Sequence, residues 1–425
     1  MKQTEELLQF IENCPSPYHT VETCAKMLAE AGFSELSMGE EWCLSQNGQY
    51  FVKGYDSTLF AFRLGQRQPH GLRITASHTD FPCLRIKPAA EINTKGYVKL
   101  NVEPYGGMIY RTWLDRPLAI AGKVVVRGRD VFSPAVYLFD AARPLLTIPS
   151  LAIHMDRSVN EGAALNPQKH LLPLFTLAGE EADEQYLLPF LAAEMGIGEE
   201  DILAYELSLY PWEKGCCFGL QDEFISSPRL DNLTSVKACL DGLVEAKPWQ
   251  GIKMAVFFDN EEVGSRTKQG AGSDLFKQVL ERIYHQLGYS QEELYADLAA
   301  GMLLSVDVAH ALHPNYPEKN DVTNEPVLNG GFVLKIAASQ SYAGDAEAIA
   351  IAKGICEKAA VPYQIFVNRA DMRGGSTLGS IASALLSLRT MDVGVPMLAM
   401  HSARETMGRD DQTYLQKFIQ KFYML

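Results

Sequence analysis

The sequence predicts an α/β protein: a central mixed sheet flanked by helices, with a β-rich piece inserted into it. Three observations carry that prediction. Helical and strand-like segments alternate toward both ends of the chain. Apolar runs of strand length end abruptly in polar, chemistry-bearing residues. Between about 89 and 221, helical periodicity thins out in favour of alternating strand-like pieces punctuated by Gly and Pro. At 425 residues the chain exceeds the usual size of one core, so two domains are expected: 1–88 together with 222–425, and 89–221.

Composition narrows the class. Hydrophobic content of 47% and charge of 21% describe an ordinary globular protein. A formal net charge of −14 argues against a nucleic-acid partner, because no excess of Lys or Arg is available to displace counterions. No stretch approaches the ~18 apolar residues that span a bilayer, and the opening residues read as an amphipathic helix rather than a signal peptide. The eight Cys are scattered, with one adjacent pair, Cys216-Cys217, which fits reduced thiols better than a disulfide framework. The expectation is a cytoplasmic protein without a membrane partner.

In chain order, 4–13 and 18–31 read as helices, the second closed by Gly32. Strand-like runs follow at 50–54, 58–64 and 71–77, the last delivering His78-Thr79-Asp80. A carboxylate two residues after a histidine can accept its second ring N–H and fix its tautomer, as metal ligands require. A buried His satisfied by a nearby acid explains the same pattern. The 89–221 insertion includes the strand-like 97–102 and 118–126, and a short helical patch near 183–196. In Leu151-Ala152-Ile153-His154-Met155-Asp156, nothing local distinguishes His154 from an ordinary strand histidine.

After 222 the alternation resumes. Asp231 stands at the mouth of a helix at 232–246, where an Asp most often acts as an N-cap. The apolar run 252–258 reads as a strand buried on both faces, ending in Asp259-Asn260-Glu261-Glu262. Helices at 273–287 and 291–299 precede a strand at 301–306 that delivers Asp307, followed by His310 and His313. A strand at 331–336 carries Lys335. A helix at 344–360, a strand near 363–367, a Gly-rich turn at Arg373-Gly374-Gly375, a strand at 395–400 ending in His401, and a helix at 410–423 complete the chain.

Four apolar strands thus end in potential ligands: His78 with Asp80, Glu261-Glu262, Asp307 and His401. Strand ends of one sheet edge can converge on one cleft. Two His and three carboxylates without Cys suit Zn²⁺, Mn²⁺ or Co²⁺. Five ligands are too many for one tetrahedral ion but suit two divalent ions roughly 3.5–4 Å apart around a shared carboxylate. Glu261, beside the ligand Glu262, is then placed to move a proton.

These stretches resemble the aspartyl aminopeptidases among the dinuclear zinc peptidases. The matching segments are Ser77-His78-Thr79-Asp80, Ser227-Pro228-Arg229-Leu230-Asp231-Asn232, Phe258 to Ser265, Asp307 to Tyr316, and Ala399 to Glu405. The resemblance implies one metal on His78, Asp231 and Asp307, and the other on Asp231, Glu262 and His401. It implies that Asp80 orients His78 and that Glu261 is the general base. Lys335, Tyr342 and His310 would contact a substrate whose N-terminal residue is Asp or Glu. It also implies that the inserted domain mediates dimerisation, that a dodecamer is built from the dimers, and that His154 reaches a partner's active site. Where members often show Lys-Gln-Arg-Tyr, this chain has Ser339-Gln340-Ser341-Tyr342, a departure that bears on substrate preference rather than on the chemistry. An aminopeptidase or deacylase of different preference, or a metal-bound scaffold without turnover, would use the same ligands.

Overall fold

The computed structural model describes residues 2–68, 71–179, 185–247, 250–372 and 374–425, and these form two compact units. The first holds the residues up to Asp80, Gly215–Met400 and Glu405–Leu425; the second holds Phe81–Lys214 and His401–Arg404. The expected boundary at 88 falls inside one continuous strand, Cys83–Thr94, so the break lies nearer the N-terminus, at Asp80. The return lies at Lys214 rather than 221, because Cys216–Phe218 pairs with Phe224–Ser227 in the first unit.

Among the described residues, the first unit is built on a nine-stranded mixed sheet. Its order is Ser34–Leu36, Gln49–Gly54, Thr58–Leu64, Ile252–Phe258, Arg73–His78, Met302–Val306, Thr390–Gly394, Phe332–Ile336, Tyr363–Val367. The four strands from Ile252–Phe258 to Thr390–Gly394 are mutually parallel, and antiparallel strands adjoin them on both sides. Ile252–Phe258 and Met302–Val306 are buried at every position, which is why they read as unbroken apolar runs. On one face, Ile252, Met254, Val256 and Phe258 pack with Phe60, Phe276, Leu280 and Leu303.

Helices follow the predicted segments closely: Lys2–Glu12, Pro17–Glu30, Leu230–Glu245, Leu275–Gln286, Gln291–Ala300, Ala346–Ala359 and Arg409–Met424. Their starts are chemically marked. Ser16 caps the second with Pro17 at the first position, and Ser290 with Glu293 forms a capping box. No helix among the described residues is long and apolar enough to cross a membrane.

The second unit contains a six-stranded antiparallel sheet, in the order Ser133–Asp140, Leu118–Asp130, Ile202–Pro211, Cys83–Thr94, Tyr97–Tyr105, Leu174–Leu177. The helical patch near 183–196 is the helix Leu187–Met195; 183 and 184 lie outside the described residues. The segment 151–156 is an exposed turn rather than a strand. Its alternating apolar residues mimic a strand, but the segment pairs with no strand among the described residues.

Several elements of the first unit have no counterpart in the sequence reading, the longest being the helix Leu378–Leu386 and the strand Thr390–Gly394; the short strands Ser34–Leu36, Phe224–Ser227 and Glu405–Gly408 are others. Small and polar residues dilute the helix's periodicity, and the strand is short and contains Asp392. The strand expected at 395–400 is shorter, Pro396–Leu398, and belongs to a separate five-stranded sheet. His401 therefore does not end a strand of the central sheet. Arg373, in the expected Gly-rich turn, lies outside the described residues.

Candidate active site

The central parallel strands deliver their side chains at one edge. His78 is the last residue of its strand and is 1% exposed. Ring Nδ1 lies 3.0 Å from the Asp80 carbonyl oxygen and 3.3 Å from Asp80 Oδ1. Those acceptors hold the proton on Nδ1 and leave Nε2 as the ligand atom. Nε2 lies 3.6 Å from both Asp231 Oδ1 and Asp307 Oδ1. Ligand atoms of His78, Asp231 and Glu262 all lie within 4.8 Å of one another.

Glu261 and Glu262 occupy a short 3-10 turn, Glu261–Val263, entered through Asn260 at φ 61° and left through Gly264 at φ 97°. The left-handed position at 264 explains the glycine there. Asp80 holds this turn as well as His78: Glu261 N–H donates to Oδ1 and Glu262 N–H to Oδ2, each at 3.1 Å. One buried carboxylate therefore positions three functional groups.

Asp231 is fixed from two directions. Its N–H donates to Glu405 Oε2 at 3.0 Å, and the neighbouring Asn232 Nδ2 donates to the Val306 carbonyl at 3.0 Å, immediately before Asp307. The Asp231–Asn232 peptide is cis. Gly394 makes room for Asp307, since a Cβ there would lie 1.6 Å from the Asp307 carbonyl oxygen. Sequence reasoning gave no role to Glu405, Asn232 or Gly394, because each acts across the chain and no local spacing marks it.

Lys335 is 2% exposed, and Nζ donates to Asp307 Oδ2 at 3.2 Å and to the Val308 carbonyl at 2.8 Å. It also lies 4.8 Å from the centre of the Tyr342 ring. Tyr342 is buried against Phe366, which in turn neighbours the His310 ring at 5.7 Å. His310 lines a pocket of about 470 Å³ with Phe366, Met397 and Met400. His401 falls in the second unit, with Nδ1 3.0 Å from the Gly107 carbonyl. His154 also falls in the second unit and is exposed.

The field at the cluster favours cations. Burial lowers the affinity of His78 for a proton, yet Asp307, Asp80 and Glu261 raise its pKa well above the ordinary value. Burial pushes the Glu261 carboxyl up to about 8, helped by Asp307, Asp80 and Asp231 and opposed by His78. Burial alone would raise Asp307, but Lys335 and His78 hold it well below the usual carboxylate range. Buried acids on one imidazole, without sulfur, form a donor set that fits a divalent zinc-type ion. A cation among these groups would draw the Glu261 carboxyl back down by the same Coulombic rule.

The family described as aminopeptidase I zinc metalloprotease (M18) matches residues 10–423. A relative from Clostridium acetobutylicum, "Probable M18 family aminopeptidase 2", is 45% identical over 425 residues, covering 99% of this chain and 98% of its own. Among solved structures, one from a cryo-EM study of the Ape4 and Nbr1 complex superposes with a TM-score of 0.94 at 36% identity, covering 99% of this chain and 85% of that one. The S. cerevisiae mApe1 dodecamer superposes with a TM-score of 0.84 at 26% identity, covering 99% and 95%. With its central sheet, the His78–Asp231–Glu262 cluster and a match along nearly its whole length, the chain belongs to the M18 family of zinc metalloprotease aminopeptidases.

Proposed function

We propose that this aminopeptidase binds two divalent ions per subunit and removes an N-terminal Asp or Glu from peptides, with zinc as the metal and manganese or cobalt as substitutes. His78, Asp231 and Asp307 would hold one ion, and Asp231, Glu262 and His401 the other. The observation that carries the reading is the convergence of His78, Asp231 and Glu262 within 4.8 Å, with Glu261 next in the chain. When bound, the ions supply a polarised water and a Lewis acid for the scissile carbonyl. Glu261 accepts a proton from the attacking water on its carboxylate and returns it to the leaving amine. Asp80 keeps His78 and the 261–262 backbone in register for that transfer.

Lys335, together with Tyr342 and His310, receives the substrate's acidic side chain. Its ammonium suits that role, because it stays charged. Burial would lower its pKa, but Asp307 and Asp392 outweigh burial and raise it. The bond from Lys335 to Asp307 favours a second reading, the same hydrolysis with a different preference for the first residue. His154 acts from a neighbouring subunit, donating to the carbonyl oxygen as negative charge develops there. The second unit, 89–221 in its sequence-read extent, serves as the dimerisation domain. The likeness to a dodecameric relative supports a homo-oligomer built from such dimers, and free cysteines support a cytoplasmic setting.

Glu261→Gln should retain the metal by elemental analysis and lose about a hundredfold to ten-thousandfold in kcat. Near wild-type turnover would remove Glu261 from the base role. Against a panel of aminoacyl chromogenic substrates, Asp and Glu should react at least about tenfold faster than Leu. Equal rates would leave the hydrolysis standing and overturn the acidic preference.

A further inference from the structure

A second charged cluster lies at the other end of the strands that carry the metal-ligand candidates. Lys253 near the start of Ile252–Phe258 is in register with Arg73 on one neighbouring strand and with Arg63 on the other. Residues paired across a sheet point to the same face. That face is opposite to the one holding Ile252, Met254, Ile74 and Phe62 in the core cluster. The last turn of the helix Arg409–Met424 covers it. Tyr423 Oη donates to the Met254 carbonyl at 2.8 Å and meets Thr75 Oγ1 at 2.6 Å, and Arg73 lies 5.9 Å from the centre of the Phe422 ring.

The three cations are not equally provided for. Arg63 donates to the Val244 and Ala246 carbonyls at 2.9 and 3.0 Å, capping the end of the helix Leu230–Glu245. Arg73 donates to the Leu72 carbonyl at 3.1 Å, and burial and then Arg389 push its pKa down. Lys253 is 3% exposed, and among the described residues no hydrogen bond or ion pair reaches its ammonium. Burial and then the Arg73 charge push it down to about 7, and no carboxylate offsets them. In a chain with a net charge of −14, a buried lysine whose charged neighbour is another cation is the reverse of the average environment. An ammonium on so buried a side chain, with no protein partner among the described residues, is poorly provided for, whereas a small oxyanion seated between Lys253 and Arg73 would satisfy it.

We propose that Lys253 and Arg73 form a binding site for a tetrahedral oxyanion, inorganic phosphate or sulfate, at the amino ends of the central strands. The site is separate from the metal edge and does not depend on how that edge is read. Its occupant ties together two strands whose opposite ends carry His78 and the Glu261-Glu262 turn.

The test uses the metal-loaded enzyme and three proteins: wild type, Lys253→Met, which keeps the volume, and Lys253→Arg, which keeps the charge. Thermal unfolding is followed while phosphate replaces chloride at constant ionic strength. Wild type and Lys253→Arg should show a saturable rise of about 2 °C or more, and Lys253→Met should show no saturable rise. Any effect of phosphate at the metal edge is common to all three and cancels in the comparison. Crystals of the wild type in selenate should show an anomalous peak between Lys253 and Arg73. Equal phosphate responses in wild type and Lys253→Met, or no selenate peak there, would overturn the proposal and leave Lys253 as an unpaired core lysine.

Discussion

The nine-stranded and six-stranded sheets treat apolar surface in opposite ways. In the first unit, Ile252–Phe258 and Thr58–Leu64 are buried at every residue. In the second, the edge strand Ser133–Asp140 buries only Phe139, and at the adjoining hairpin tip Val131 and Phe132 are 91% and 96% exposed. A strand covered on both faces has little room for charged groups away from its ends, so charged chemistry collects toward the sheet's edge. A sheet that leaves apolar side chains in water has surface suited to a partner. The first arrangement gathers polar groups at an edge, and the second leaves apolar side chains in water.

Substitutions should separate the two arrangements by size of effect. Phe258→Ala removes a ring packed 6.0 Å from Phe60 and 5.6 Å from Phe276, and should cost about 3–5 kcal/mol in denaturant titration. Gly394→Ala forces backbone apart at the Asp307 carbonyl and should cost about 1–3 kcal/mol, with metal content falling alongside. Phe132→Ser, at the exposed tip, should change the unfolding free energy of the isolated subunit by no more than about 0.5 kcal/mol. A large loss from Phe132→Ser under those conditions would break the contrast, since it would show the tip to be part of a fold rather than of a contact.

A finer probe is pH. Asp411, in the first turn of the last helix, accepts from Asn329 N–H at 2.7 Å and Gly331 N–H at 2.9 Å. Burial pushes its carboxyl up to about 7, against the two N–H groups, which lower it. Between the unfolded value of about 4 and that folded value, the native state holds a proton the unfolded chain has released. Its contribution to stability is therefore full below about pH 4 and is lost as pH rises toward the folded value. Asp411→Asn should flatten that slope, read as the difference between wild-type and variant unfolding midpoints at about pH 5 and about pH 8. An unchanged slope would remove Asp411 from the balance.

Much of the first unit was legible because burial on both faces writes itself as an apolar run, as in Ile252–Phe258 and Met302–Val306. His78, Glu262 and Asp307 could be found as strand ends. The order of the strands could not. Ile252–Phe258 enters between Thr58–Leu64 and Arg73–His78, strands close to each other in sequence, and only tertiary packing decides such an insertion. Leu378–Leu386 escaped because small residues blur its period. His154 was read as a strand histidine because Leu151, Ile153 and Met155 alternate, yet all three are exposed on a turn. Glu405 and Asn232 left no local trace, since their partners lie 174 and 74 residues away.

Asp307 has one oxygen toward His78 and the other on Lys335. A carboxylate is planar and rigid, so it cannot be drawn toward one neighbour without being turned from the other. Whatever takes the Lys335 ammonium away from Asp307 also changes what Asp307 offers to an ion beside His78. By thermodynamic reciprocity, an ion bound there would alter the hold of Lys335 on an acidic ligand by the same factor. The single carboxylate at 307 is therefore a balance arm, and weighing the enzyme's appetite for metal with and without an acidic peptide would read its tilt.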